Sequence, residues 1–223
     1  MNTPGQPRPQ NTESDDCHSL ATRWISDCIS THDQHRDQDR ASWLPTRLID
    51  VGSSCPAVEP RIVATSSFLK KPSGPLYISL THLWAAKSVL RLITTNQEQF
   101  MEAVPWEDLA PTLRDAILFT RRLGIRHLWI DSLCILQNSA QDWLAESALM
   151  NRVYKHSMCN IAVTAASNGS PGLYQHRDPY PITPYGVRIQ RKGHEQSYIY
   201  SFGSYHYIDT ASCASVNQRG WIL

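Results

Sequence analysis

Two short clusters bring together side chains able to do chemistry. Thr81-His82-Leu83-Trp84 sets a hydroxyl, an imidazole and an indole within four residues, and Asp131-Ser132-Leu133-Cys134 sets a carboxylate and a thiol within four more. Each cluster follows directly on an apolar run of strand length. In open α/β sheets, ligands gather beyond the carboxyl ends of the parallel strands, so Thr81, His82, Trp84, Asp131 and Cys134 could share one rim. The plainer roles are equally concrete. Asp131 can cap a turn, His82 can be a satisfied core histidine, and Trp84 and Trp129 fill cores more often than they stack on ligands. Cys134 and His82 have the composition of a nucleophile and its base. Yet Leu133-Cys134-Ile135-Leu136 is an apolar run, where a cysteine is more often an inert buried thiol.

Glu146 is the more informative carboxylate. On a helix it shares a face with Trp143, Met150, Val153 and Tyr154, so a charge sits in an apolar stripe. Burying it unpaired would be costly. Either a partner such as an arginine satisfies it, or the position opens into a cleft. Cys28, His32 and His35, with Cys17 upstream, are zinc-type ligands, but Cys17 is too far from Cys28 to form the usual paired-ligand turn. A helix end followed by a solvated loop accounts for them without a metal. No GxGxxG or P-loop fingerprint for a cofactor is present.

The elements that must position these residues are legible in the periodicity. Residues 20–29 space Leu20, Trp24, Ile25 and Cys28 as a short amphipathic helix, and residues 44–51 and 61–65 read as strands. Residues 76–81 alternate as a strand after a Pro/Gly turn. Residues 111–123 form a helix with Pro111 in its first turn, Leu113, Ala116, Ile117 and Thr120 on one face, Arg121 and Arg122 at its end, and Gly124 to close it. Residues 127–130 are a short buried strand, residues 140–155 a single helix opened by Ser139 and Asp142 in capping-box spacing, and residues 160–166 a further strand. Strand, helix, strand, helix, strand argues for an α/β fold with a mainly parallel β-sheet flanked by helices and joined by right-handed crossovers. Residues 185–190 and 196–202 add a C-terminal antiparallel extension.

Composition bounds the partners. With 223 residues and 41% hydrophobic content the chain can bury a core, and its 21 basic and 20 acidic residues nearly cancel. No charge footprint for nucleic acid or anionic lipid is present. The start is polar without an apolar h-region, and nowhere do roughly 18 apolar residues run together. Six dispersed cysteines without a CxxC pair read as reduced thiols. The expectation is a soluble cytoplasmic protein, with neither nucleic acid nor membrane as partner.

The same residues resemble a known family. Leu44-Pro45-Thr46-Arg47-Leu48-Ile49-Asp50-Val51 and Tyr77-Ile78-Ser79-Leu80-Thr81-His82-Leu83-Trp84 look like the opening blocks of the fungal heterokaryon-incompatibility (HET) domain. The run from Leu123 through Leu128-Trp129-Ile130-Asp131-Ser132-Leu133-Cys134-Ile135-Leu136-Gln137 resembles its LWID-x-LCI-x-Q signature. Asp142-Trp143, Glu146, Met150 and Tyr154 continue its D-W-x-x-E-x-x-x-M-x-x-x-Y helix, and the strand from Ile161, Gly172-Leu173 with Arg177, and Arg219-Gly220-Trp221 follow in order. Thr81 stands where the family usually has serine and Ala85 where it usually has glycine. The chain stops at Leu223, short of the Gln-Glu that usually follows, so a truncated copy is expected.

The resemblance implies a module of vegetative incompatibility, a fungal self/non-self recognition system that triggers programmed cell death, acting through protein partners and as a candidate homo-oligomer. Residues 1–18 would then be a tail, 19–70 an N-terminal helix and strands packing on the domain, and 71–223 the HET core. A distant kinship with Toll/interleukin-receptor (TIR) domains also implies a candidate enzymatic reading, with NAD as substrate and hydrolysis of its glycosidic bond. A carboxylate would stabilise the oxocarbenium-like sugar, with Glu146 first and Asp131 second as catalytic candidates.

Overall fold

The computed structural model describes residues 9–31, 43–52, 58–68, 74–83, 90–163, 172–176, 185–191 and 194–200. In chain order the elements are helix α1 (Asp15–Thr31), strands β1 (Arg47–Asp50), β2 (Arg61–Ala64) and β3 (Tyr77–Thr81), and helices α2 (Gln97–Glu102) and α3 (Pro111–Arg122). Next come β4 (His127–Ile130), the single-turn α4 (Asp131–Cys134), α5 (Ala140–Ser147), α6 (Met150–His156), β5 (Asn160–Ala162), β6 (Tyr185–Arg191) and β7 (His194–Tyr200).

Five strands form one sheet in the order β2-β1-β4-β3-β5. β3 lies parallel to both β4 and β5, with Leu80 opposite Ile130 on one side and Ile161 on the other. β1 runs antiparallel to both β2 and β4. The sheet is therefore mixed, which corrects the expectation of a mainly parallel one. The strands that have helices between them in the chain, β3, β4 and β5, are the ones that pair parallel. β1 and β2 follow one another closely in the chain, and so short a connection permits antiparallel pairing. β6 and β7 form the expected C-terminal hairpin as a separate two-stranded sheet, with Tyr185 opposite Tyr200.

Packing follows the apolar periods. All four residues of β4 are buried, as are Tyr77, Ile78 and Leu80 of β3. α3 turns Leu113, Ala116, Ile117 and Thr120 inward, with Pro111 in its first turn. It ends in a Schellman arrangement in which the Ile125 N–H bonds to the Thr120 carbonyl and the Gly124 N–H to Arg121. Gly124 sits at φ 73°, where a side chain would be strained. Arg121 does more than complement the helix dipole. It is buried and donates to the carbonyls of Val51 (2.6 Å) and Val58 (2.7 Å), tying α3 to both sides of the β1–β2 connection. α6 covers one face of the sheet, where the Tyr77 hydroxyl donates to the Val153 carbonyl at 2.7 Å and Tyr154 meets Trp129 edge-on.

Three further expectations change. The helix expected over residues 140–155 is two helices, α5 and α6, parted at Ala148 and Leu149 where Leu149 N–H bonds three residues back to Glu146. The first helix reaches back to Asp15, into the stretch expected to be a tail. Asn11 and Thr12 pair there with His176 and Gln175, which gives that stretch partners not visible in its composition. The strand expected over residues 160–166 spans Asn160–Ala162, and residues 164–166 lie outside the described residues. No helix among the described residues is long and apolar enough to cross a membrane.

Candidate functional site

The sequence of the fourth strand ends in a turn rather than a loop. Ile130 is extended, Asp131 opens α4 at once, and the Ser132 N–H bonds back to Asp131 Oδ1 at 2.8 Å. Gln137 then folds under this turn, donating to the carbonyls of Asp131 (3.0 Å) and Ile135 (2.9 Å). This places the Asp131 carboxylate at the C-terminal rim of β4, beside the residue that follows β3. His82 Nδ1 lies 3.9 Å from Asp131 Oδ1, with the His82 side chain 5% exposed and Asp131 16%. The rim expected from periodicity thus brings His82 and Asp131 together.

Other candidates are placed differently. The Thr81 hydroxyl is buried and donates to Asn160 Oδ1 at 3.0 Å. Ser79 donates to the same oxygen at 3.1 Å and also pairs with Ser157, so these hydroxyls stitch β3 to β5 and α6. Trp84 lies outside the described residues, as do His32 and His35 of the considered zinc cluster. Among the described residues no three His, Cys, Asp or Glu side chains form a group that could hold a metal.

Cys134 is fully buried, and burial pushes its thiol up to about 12. A backbone hydrogen bond at Ile130 and the positive field of Arg47 oppose that rise, while the negative fields of Glu146 and Asp131 add to it. A thiol held protonated at neutral pH does not supply the thiolate that a nucleophile needs. The buried-thiol reading of Cys134 is the one its surroundings support.

Glu146 is 4% exposed, and its partner is Arg47, the first residue of β1. Arg47 Nη1 is 4.0 Å from Glu146 Oε1, and Arg47 forms a closer ion pair with Asp142. Asp142 and Glu146, four residues apart on α5, thus present both carboxylates to one guanidinium. Asp142 Oδ2 also accepts the Leu136 N–H at 2.8 Å, while its own N–H reaches the Ser139 side chain at 3.3 Å. The Ser139 half of the expected capping box forms. The carboxylate that would complete it is drawn to Arg47 and Leu136 instead. As a result α5 is turned with acids inward and apolar residues outward: Trp143 is 49% exposed and Leu144 64%. The apolar stripe read around Glu146 holds for Met150 and Val153, and Trp143 is the exception.

Arg47, Asp142 and Gln137 are the site residues that sequence reasoning passed over. A signal for Arg47 existed, since a buried glutamate needs a cation and Arg47 is the one basic residue within the 44–51 run.

A family model described as heterokaryon incompatibility protein (HET) matches residues 77–223, about two thirds of the chain. No curated protein and no solved structure matches it, so the expected TIR-like kinship finds no structural neighbour to rest on.

Proposed function

The chain belongs to the heterokaryon incompatibility (HET) family, and from that premise we propose that it is a module of fungal self/non-self recognition that provokes programmed cell death by assembling with protein partners in the cytoplasm. The observation that carries the choice of assembly over catalysis is the Arg47 link. A glutamate that stabilises a developing oxocarbenium ion must face substrate with its charge free to act. Here Glu146 is buried under a guanidinium shared with Asp142, and the helix that carries it turns Trp143 and Leu144 to the surface. Large exposed apolar side chains on one short helix favour contact with another protein.

The test is expression of the chain in a fungal host, with growth, total NAD and the size of the protein's complexes followed together. The expected result is growth arrest with NAD unchanged and the protein in a complex larger than one chain. NAD loss that precedes arrest, and that disappears in a folded Glu146→Gln variant, would overturn the assembly reading in favour of NAD hydrolysis.

A further inference from the structure

We propose that α1 is a releasable strap fastened to the C-terminal end of α3, opened by acid and by salt. This goes beyond the assembly reading and does not depend on it. None of the seventeen residues of α1 is buried, and its Trp24 is 64% exposed. Its contacts with α3 lie at its N-terminal end. Arg122 of α3 donates to Asp15 Oδ1 at 2.6 Å and to the Glu13 carbonyl at 3.4 Å. The His18 ring meets Phe119 of α3 edge-on, with centroids 5.7 Å apart. Just ahead of the helix, Thr12 exchanges backbone and side-chain bonds with Gln175, within a segment that is itself fixed to α3 where Leu173 N–H donates to Asp115 Oδ2 at 2.8 Å.

These fastenings are polar and wet. The Asp15 side chain is 96% exposed, so its pair with Arg122 is of the kind that water and salt weaken most. His18 supplies the acid sensitivity. Its Nε2 is buried with no hydrogen-bond partner among the described residues, and it lies in the field of Arg122. Of the charged groups that act on it, Asp15 stands on its own segment and Arg122 on α3, and Arg122 is shared with Tyr174. Burial first, and then Arg122, lower the His18 pKa, while Asp15 raises it. A histidine whose docked pKa is depressed favours docking above its ordinary value near 6.5, and that contribution is lost as pH falls below it. Once released, a helix of this length is marginal in water, so undocking and melting go together.

Amide hydrogen exchange on the intact chain tests this, with α3 and β4 as internal reference. After correction for intrinsic rates, α1 amides are expected to exchange about tenfold or more faster than those of α3, and to speed up further between about pH 7.5 and 5.5 and between about 0.05 and 0.5 M salt. His18→Gln should abolish the acid response and keep the salt response. Asp15→Asn should speed α1 exchange at both pH values. Exchange of α1 that matches α3 under every condition would overturn the strap, as would an acceleration shared equally by all elements. An acid response that persists in His18→Gln would overturn the acid trigger.

Discussion

Arg47 is a single guanidinium holding two carboxylates away from water, and the energetics of that arrangement are lopsided. Bringing three charges into a low-dielectric site gains little over an apolar filling, but removing one member leaves the others uncompensated. Arg47 is 7% exposed and Glu146 4%, so Arg47→Met is expected to lower stability by about 3–5 kcal/mol, read as a shift in the urea midpoint. Adding Asp142→Asn and Glu146→Gln to that variant should restore part of the loss, because the stranded charges are gone. A loss below about 1 kcal/mol for the single variant would mean that the pair is wetter than its exposure indicates. The catalytic question turns on the same residue, since whatever frees Glu146 must first displace Arg47.

Among the elements, α3 was readable to within a residue. Its N-terminal proline, its 3–4 apolar spacing and its terminal glycine all point the same way, and Ile117 is fully buried as that spacing requires. Ile117→Ala should therefore cost about 2–5 kcal/mol, with the helical circular dichroism of the folded state unchanged; a much smaller cost would place α3 wrongly. The strands were readable in position, and β3, β4 and β5 in direction, but the direction of β1 and β2 was not. Four-residue runs such as Arg47–Asp50 and Arg61–Ala64 read the same whichever way they pair, and direction is set by the connection rather than the pattern. The break between α5 and α6 was not readable, because neither Gly nor Pro marks residues 147–149. What turns α5 is Arg47, distant in sequence, and a periodicity window cannot see it. The rim of His82 and Asp131 was legible for the opposite reason: each residue sits at the end of a strand whose place the pattern fixed.

Across the whole molecule, β1 acts as a bolt with an ionic catch at each end. Arg47 at its start engages α5, and Asp50 at its end is gripped where the antiparallel strands meet the parallel ones. Arg126, just before β4, donates to both Asp50 oxygens at 2.8 and 3.0 Å, Arg61 of β2 approaches at 3.4 Å, and the Gly52 N–H adds a bond at 3.0 Å. Burial alone would raise the Asp50 pKa, but the Arg126 bonds, the Gly52 N–H and the positive fields of Arg126 and His127 outweigh it and hold the carboxyl down at about 2. A carboxylate whose folded pKa lies below its unfolded value of 3.8 contributes stability that is present above that value and is lost as pH falls toward 2. The shift corresponds to about 2 kcal/mol, concentrated between about pH 4 and 2. Asp50→Asn keeps the Gly52 contact but cannot hold two cations, so it should be less stable than the parent at neutral pH. Its stability should also fall less steeply with acid, the two curves converging by about pH 2. Urea midpoints measured across that range check this, and parallel curves for the two proteins would show that the catch at Asp50 has no part in the acid sensitivity of the fold.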